Sequence, residues 1–340
     1  MDLQNSKFRF IPNELYEFIK LAKSESVSGI IKKFDHEESK IVMEYFEFLI
    51  DNEYGFWCTK KELSLFPALE SKWESPFAFS NVILDIDKKS NYNLEKAVVE
   101  VISNSIPHIQ LRVYDGFELE DFGYFLKLFE NSPIYSIELL VPFIEKYNLN
   151  YLGKFIVAFP RITGILVHGC PEGWNAEHVI EESPFVRITF QSYSISDCHS
   201  CGVTELKYFG VNTELYMESQ KYNSCLNRKI SIDVNGFIRN CPSSKDSFGH
   251  IDTTTFLAAL NDPGFKGLWK ISKDKILVCR DCEFRYMCTD CRAYLTNPNN
   301  ICSKPLKCGY DPYSGQWTDW NKSESASITF QQYRSDSSLT

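Results

Sequence analysis

The spacing of cysteines in the last third of the chain constrains the fold more than any other sequence feature. Eight of the 12 cysteines lie between Cys225 and Cys308. Four of them form a C-x2-C-x5-C-x2-C pattern, namely Cys279, Cys282, Cys288 and Cys291. Pairs of thiols at this spacing are typical ligands of zinc and of iron–sulfur clusters. We therefore expect metal sites that bind soft ligands in this region.

Composition and charge exclude several classes of function. The chain has 340 residues, 44% of them hydrophobic, which is typical of a folded protein with more than one domain. Its net charge is −9 and its basic residues are scattered, so neither nucleic acid nor an anionic membrane is an expected partner. No apolar run is long enough to span a bilayer, and MDLQNSKFRF lacks the features of a signal peptide. We therefore expect a cytoplasmic location.

That location decides how the cysteines are interpreted. In a reducing compartment, closely spaced thiols bind metals more often than they form structural disulfides. If the chain were secreted, a disulfide framework would be the alternative.

Residues 1–66 have the pattern of a small helical module. Helices are predicted over residues 13–22, 27–34 and 36–50, and the polar, aromatic stretch DNEYGFW at residues 51–57 predicts a β-hairpin. Helices followed by such a wing resemble the winged-helix modules that recognise leader peptides in peptide maturation systems. Those modules bind a leader as an added strand. The alternative is a helical cap on the next domain.

From residue 81 the pattern alternates between strands and helices. NVILDID, HIQLRVY, IYSIELLVP, ITGILVHG and FVRITF predict buried strands, and NLEKAVVEVISNS and LEDFGYFLKLFENS predict helices. Repeated β–α units predict an α/β fold with a parallel sheet or a partial (β/α) barrel over residues 81–197. The predicted strand ends carry polar or reactive side chains for which we expect structural roles: Asp85, Asp87, Arg112, Tyr114, Asp115, His168 and Cys170.

One sequence element of radical S-adenosylmethionine enzymes is missing. Those enzymes hold a cluster on a C-x3-C-x2-C loop after the first strand of their barrel. Here no cysteine occurs between Cys58 and Cys170, and the residues after NVILDID are KKSNYN. The predicted barrel therefore resembles a degenerate radical core that cannot bind this cluster, and we assign no catalytic residue.

The cysteine-rich region resembles a SPASM domain, the auxiliary-cluster module of many peptide-modifying radical enzymes. Cys225, Gly236 and Cys241 match the first half of its pattern, and Cys279, Cys282, Cys288, Cys291 and Cys308 match the second. This resemblance covers residues 198–320 and leaves residues 321–340 as an expected flexible tail. One departure is that two residues, not three, separate Cys288 from Cys291.

The resemblance implies two interleaved 4Fe–4S clusters. Cys225, Cys241 and Cys291 would bind the first, with Cys201 or Cys198 from the preceding C-x2-C pair as its fourth ligand. Cys279, Cys282, Cys288 and Cys308 would bind the second, and Cys302 would be spare. Zinc stays open as the alternative metal, because four thiolates also form a tetrahedral zinc site.

The stretches NSCLNRKISIDVNGFIRNCPS, CRDCEFRYMCTDCRAY and KPLKCGYDPYSGQW resemble the SPASM-domain maturases of grasp-with-spasm systems. The resemblance implies an accessory protein that binds a leader-bearing precursor of a ribosomally synthesised, modified peptide. Its partner would be an ATP-grasp ligase. Two alternatives remain at this point: an iron–sulfur redox enzyme that acts on a peptide, and a zinc-binding protein-interaction module.

Overall fold

The structure is a computed structural model that describes residues 1–67, 73–181 and 183–337. These residues divide into two compact units. The first contains residues 1–67 and 210–216, and the second contains residues 73–209 and 217–337. Every cysteine except Cys58 lies in the second unit.

Residues 1–67 form four helices: α1 (Asn13–Leu21), α2 (Val27–Ile31), α3 (His36–Asp51) and α4 (Lys60–Leu63). The longest, α3, begins at a capping box. The carboxylate of Asp35 accepts the N–H groups of Glu37 and Glu38, and the Glu38 side chain accepts the N–H of Asp35. The three helices predicted in this stretch are confirmed, and Ile30, Val42 and Phe46 form their small core.

The β-hairpin predicted at residues 51–57 is wrong. Residues 52–59 contain no strand. Two aromatic side chains expected on the hairpin pack elsewhere, since Trp57 lies 6.4 Å from Phe46 and Phe56 lies 4.9 Å from Phe66, measured between ring centroids. These contacts, one with α3 and one with the segment after α4, take the place of the cross-strand pairs that would have formed a wing.

The second unit is built on an eight-stranded sheet whose inner strands are parallel. Its strands are β1 (Asn81–Ile86), β2 (His108–Val113), β3 (Ser136–Pro142), β4 (Ile162–His168), β5 (Ala176–Ile180), β6 (Ser183–Gln191), β7 (Lys229–Ile232) and β8 (Ile238–Arg239). Their order is β5-β6-β4-β3-β2-β1-β7-β8, and only the edge strands β5 and β8 pair antiparallel. The predicted α/β class with a mostly parallel sheet is confirmed.

Helices α5 (Leu94–Ser103), α6 (Gly123–Leu128) and α7 (Leu149–Ala158) connect consecutive parallel strands. In β1, every residue from Val82 to Ile86 is buried, as expected for a strand covered on both faces. The helix predicted at LEDFGYFLKLFENS begins as a 3-10 turn at Leu119–Phe122 and continues as α6. The five predicted strands are all present, whereas β5 and the pairing of β7 with β1 were not predicted.

The cysteine-rich part has little regular structure. Beyond β7 and β8 it contains α8 (Thr213–Ser219), α9 (Phe256–Asn261), the short pair β9 (Tyr310–Asp311) and β10 (Gln316–Trp317), and several 3-10 turns. The predicted hairpin around Asn235 and Gly236 is present as β7 and β8. Gly236 has φ +85° at this turn, and a Cβ atom there would come within 2.5 Å of the His250 ring. Both the positive φ and the lack of space therefore exclude a side chain at this position.

The C-terminal segment, which was expected to be a flexible tail, contains a helix in the structure. Residues 324–337 form helix α10 (Glu324–Ser337). On this helix Tyr333 is 8% exposed, packs edge-on against Tyr294 and accepts the N–H of Leu295 through its hydroxyl oxygen. The apolar side of α10 thus packs onto the cysteine-rich part. The last three residues of the predicted tail lie outside the described residues.

Within the described ranges, no helix combines the length and apolar character that a membrane crossing requires.

Candidate metal centre

The β7–β8 hairpin and the loops beside it bring one group of four cysteines together, which we call the first thiol group: Cys201, Cys225, Cys241 and Cys291. Cys225 lies just before β7 and Cys241 just after β8, as the sequence predicts. Burial raises the pKa of Cys241 well above its ordinary value, and Cys201, Cys225 and Cys291 raise it further because thiolates so close would repel one another.

A backbone contact confirms that the Cys201 loop reaches this group. Gly202, the next residue, has φ +88°, and a Cβ atom at this position would lie 2.9 Å from the Sγ of Cys291. Burial, with Cys225 and Cys201 nearby, raises the pKa of Cys291 to about 12. The group is buried at Cys241 and open to solvent at Cys201.

A second thiol group consists of Cys279, Cys282, Cys288 and Cys308. All four line one small cavity, together with Lys273 and the aromatic side chains of Phe209, Phe284, Tyr310 and Trp317. Burial raises the pKa of Cys279 to about 11 and that of Cys282 to about 12. A 3-10 turn at Cys279–Asp281 positions the first two thiols, with the N–H of Cys282 bonded to the carbonyl of Cys279.

The two groups are linked by the segment around Asp290. Cys288 belongs to the second group and Cys291 to the first, and the two cysteines lie three positions apart in the chain. The Ser224 hydroxyl, beside Cys225, donates to the carbonyl oxygen of Cys288 at 2.9 Å. Asn223 donates to the Asp290 carboxylate at 2.6 Å. The thiol groups are therefore neighbours held by one hydrogen-bonded network.

Cys198, which sequence spacing made an equal candidate with Cys201, is not among the groups with the largest effect on the pKa of Cys241 or of Cys291. It lines a separate polar cavity of about 350 Å³ with Asp85, Tyr114 and Ser243. Burial raises the pKa of its thiol to about 11, partly opposed by a hydrogen bond with Ser243. These contacts favour Cys201 over Cys198 as the fourth member of the first thiol group.

The polar cavity lies at the carboxyl ends of β1, β2 and β7. Arg112 donates to Asp85 through Nε at 2.6 Å and through Nη2 at 2.8 Å, and the Tyr114 hydroxyl donates to the same carboxylate at 2.7 Å. Asp85 is 1% exposed, and Asp233 and Arg239 form a further ion pair at 2.6 Å. Sequence reasoning named the residues on β1 and β2 but recognised no constellation among them.

His168 and Cys170 have structural contacts. The two ring nitrogens of His168 lie 3.2 Å from the carbonyl oxygen of Val113 and the backbone nitrogen of Ile195. The Cys170 thiol is buried and points to the carbonyl of Val167. These contacts are the structural roles that the sequence predicts for both side chains.

Two lysines beside the thiols were not recognised from the sequence. The ammonium of Lys229 donates to the Sγ of Cys225 at 3.2 Å, and that of Lys273 donates to the Sγ of Cys288 at 3.3 Å. Burial lowers the pKa of Lys273, but Cys288 and Asp290 outweigh it and raise the pKa above the ordinary value. No spacing rule distinguishes these lysines from others, because strand register and loop packing bring them to the thiols.

The chemistry of the donor set fits a metal group. Each group offers four thiols, the preferred ligands of zinc and of iron–sulfur clusters. Among the described residues, however, no three Cys, His, Asp or Glu side chains form a group that could hold a single metal ion. A tetrahedral zinc ion with bonds of ~2.3 Å would need its thiolates packed closely around one point.

Comparison with known proteins identifies no relative: the chain matches no family model, no curated protein and no solved structure.

Proposed function

We propose that this chain is an accessory protein for the maturation of a ribosomally synthesised peptide. In this proposal it binds two 4Fe–4S clusters, binds a leader-bearing precursor and acts with an ATP-grasp ligase. The observation that carries the proposal is the gathering of eight cysteines into two neighbouring groups of four in the second unit. Residues 198–320 would then be an auxiliary-cluster domain.

The match of seven cysteines to the spacing of an auxiliary-cluster domain favours clusters over zinc ions: Cys225, Cys241, Cys279, Cys282, Cys288, Cys291 and Cys308. Four thiolates are suitable ligands for either metal group, so the preference comes from this match and not from the donor type. Iron–sulfur clusters are therefore the metal groups we propose, with the first thiol group and the second thiol group each binding one.

A structural or peptide-binding role for the clusters is favoured over a radical reaction. The segment after β1 carries no cysteine, and the carboxylate of Asp87 accepts the N–H of Lys89 at 2.8 Å to form a turn there. Each thiol group offers four ligands, so neither cluster would have an open iron for substrate. In this proposal the parallel sheet is a degenerate partial barrel that supports the clusters and the precursor.

Residues 1–67 are the proposed leader-binding module. They expose several large apolar side chains, including Phe10 at 66%, Phe56 at 61% and Leu65 at 73%. Exposed apolar side chains in such number commonly mark a binding surface. These side chains flank helices α1 to α3 and would supply the docking site, without the hairpin that a complete winged-helix module has.

A reconstituted reaction tests this function. A leader-bearing precursor and an ATP-grasp ligase encoded beside this gene would be incubated with ATP, with and without this protein. The masses of the products would be measured by mass spectrometry. We expect loss of water from the precursor, as ester or amide crosslinks form, to depend on this protein. Equal crosslinking in its absence would contradict the accessory role, and modification without the ligase would favour an enzyme.

A further inference from the structure

Lys273 is buried next to the second thiol group without a full counter-charge. The residue is 3% exposed, and its ammonium donates to Cys288 at 3.3 Å while Asp290 lies at 3.8 Å. The same carboxylate is bound more closely by Arg292, at 2.7 Å, and both of those side chains are fully buried. Two cations therefore share one carboxylate in this interior.

Burying such an excess of positive charge is unfavourable unless a further anion is present. The groups that can provide it are the thiols that line the same cavity as Lys273, namely Cys279, Cys282, Cys288 and Cys308. Four thiolates around a metal group with a lower positive charge form a net anion. The charge of the loaded second group would thus balance the charge that the protein has buried.

The first thiol group has a comparable lysine, Lys229, which is partly buried. Lys229 begins β7, and its ammonium donates to the Sγ of Cys225 at 3.2 Å. Among the described carboxylates, none lies within 4.0 Å of this ammonium. Each group of four thiols therefore has a lysine that donates to one of its sulfur atoms. Lys307 also lies near Cys201 and Cys291, but it donates to the backbone carbonyls of His199 and Cys201.

We propose that Lys229 and Lys273 are the counter-cations of the two thiol groups. Each would stabilise the anionic, metal-loaded form of its group and raise its reduction potential, because an N–H donor and a positive charge beside a ligand sulfur favour the reduced cluster. This inference rests on the proposed metal-binding function. Both lysines would act on the metal group through its cysteine ligands and would not bind the metal themselves.

The test compares Lys229→Met and Lys273→Met with Lys229→Arg and Lys273→Arg, which keep the charge. Lys270→Met, an exposed lysine of the same region, is the control. In each full-length protein, reconstituted anaerobically, we would measure iron content, the midpoint potentials and the rate of metal loss to a chelator. Since outer-shell partners of metal sites change metal affinity by ~10–100-fold, the Met variants should lose one cluster at least about tenfold faster.

A second measurement separates this role from a merely structural one. In the metal-free protein each Met variant should be at least as stable to urea as wild type, because it removes a charge that lacks a full counter-charge and is buried at Lys273 and partly buried at Lys229. In the loaded protein the order should reverse, and each Met variant should lower the potential of one cluster only. The Arg variants should lie between the Met variants and wild type.

Failure of the inference is distinguishable from failure of the proposed function. If wild type takes up neither iron nor zinc, the metal-binding function fails and the inference falls with it. If wild type loads normally but the Met variants match Lys270→Met in chelator kinetics and potential, only the inference is overturned. Loss of stability in the metal-free Met variants would also overturn it. The chelator assay applies to zinc as well as to iron.

Discussion

Replacing Asp85 by asparagine should destabilise the second unit far more than an ordinary charge removal. The carboxylate of Asp85 is held by Arg112 at 2.6 and 2.8 Å and by the Tyr114 hydroxyl at 2.7 Å. The side chains of Asp85 and Arg112 are 2% and 6% exposed. Asp85→Asn would leave the guanidinium buried without its anion, which costs ~3–5 kcal/mol in comparable cases.

A neighbouring carboxylate provides the control for that value. Asp115 pairs with Lys88 at 3.1 Å, but both side chains are about half exposed, so Asp115→Asn should cost no more than ~1 kcal/mol. The free energy of unfolding would be measured by urea titration for both variants. The double variant Asp85→Leu/Arg112→Met should recover most of the loss, because it removes both charges together. If Asp85→Asn costs no more than Asp115→Asn, the buried network is no stronger than an exposed ion pair and the reasoning is refuted.

Three further predictions concern metal and peptide binding. Cys201→Ser should lower the iron content by about four atoms per chain, whereas Cys198→Ser should not change it; equal losses measured by elemental analysis would contradict the assignment of the first thiol group. Trp57→Ala should weaken leader-peptide binding measured by calorimetry by about tenfold, as for an exposed aromatic anchor, while the control Tyr135→Ala should leave it unchanged. Reduced protein should not cleave S-adenosylmethionine, and detection of 5′-deoxyadenosine by chromatography would show that a radical site exists.

The parallel strands were predictable from their apolar residues. Strand β1 is buried along nearly its whole length and forms a continuous apolar run. Strands β3, β4 and β6 alternate between buried and more exposed residues, and their buried positions are apolar enough to be recognised. The edge strand β5 is short and mostly exposed, and carries no such signal. The pairing of β1 with β7, which places Asn81 opposite Lys229, joins segments far apart in the chain, and no local sequence pattern predicts it.

The thiol groups were also predictable only where the cysteines are close together in the sequence. The close spacing of Cys279, Cys282, Cys288 and Cys291 marks them as one pattern in the sequence, and only the resemblance to a SPASM domain assigned Cys291 to a different set from the other three. Cys198 and Cys201 belong to one C-x2-C pair and are equivalent in sequence. Only the packing of the loop after β6 places Cys201 beside Cys291 and turns Cys198 toward the polar cavity.

The predicted wing and tail were wrong for a related reason. An aromatic, glycine-containing stretch is compatible with a hairpin, but Trp57 packs near Phe46 of α3 instead of pairing across strands. The C-terminal segment is rich in serine and was expected to be flexible. Tyr333 and its neighbours nevertheless pack on Tyr294, and this tertiary contact stabilises a helix that weak local propensity does not predict.

The content of iron and acid-labile sulfide in the anaerobically purified protein tests the central claim most directly. If both thiol groups bind 4Fe–4S clusters, the protein should be brown and contain about eight irons and eight sulfides per chain. A colourless protein with two zinc ions and no sulfide would contradict the iron–sulfur assignment.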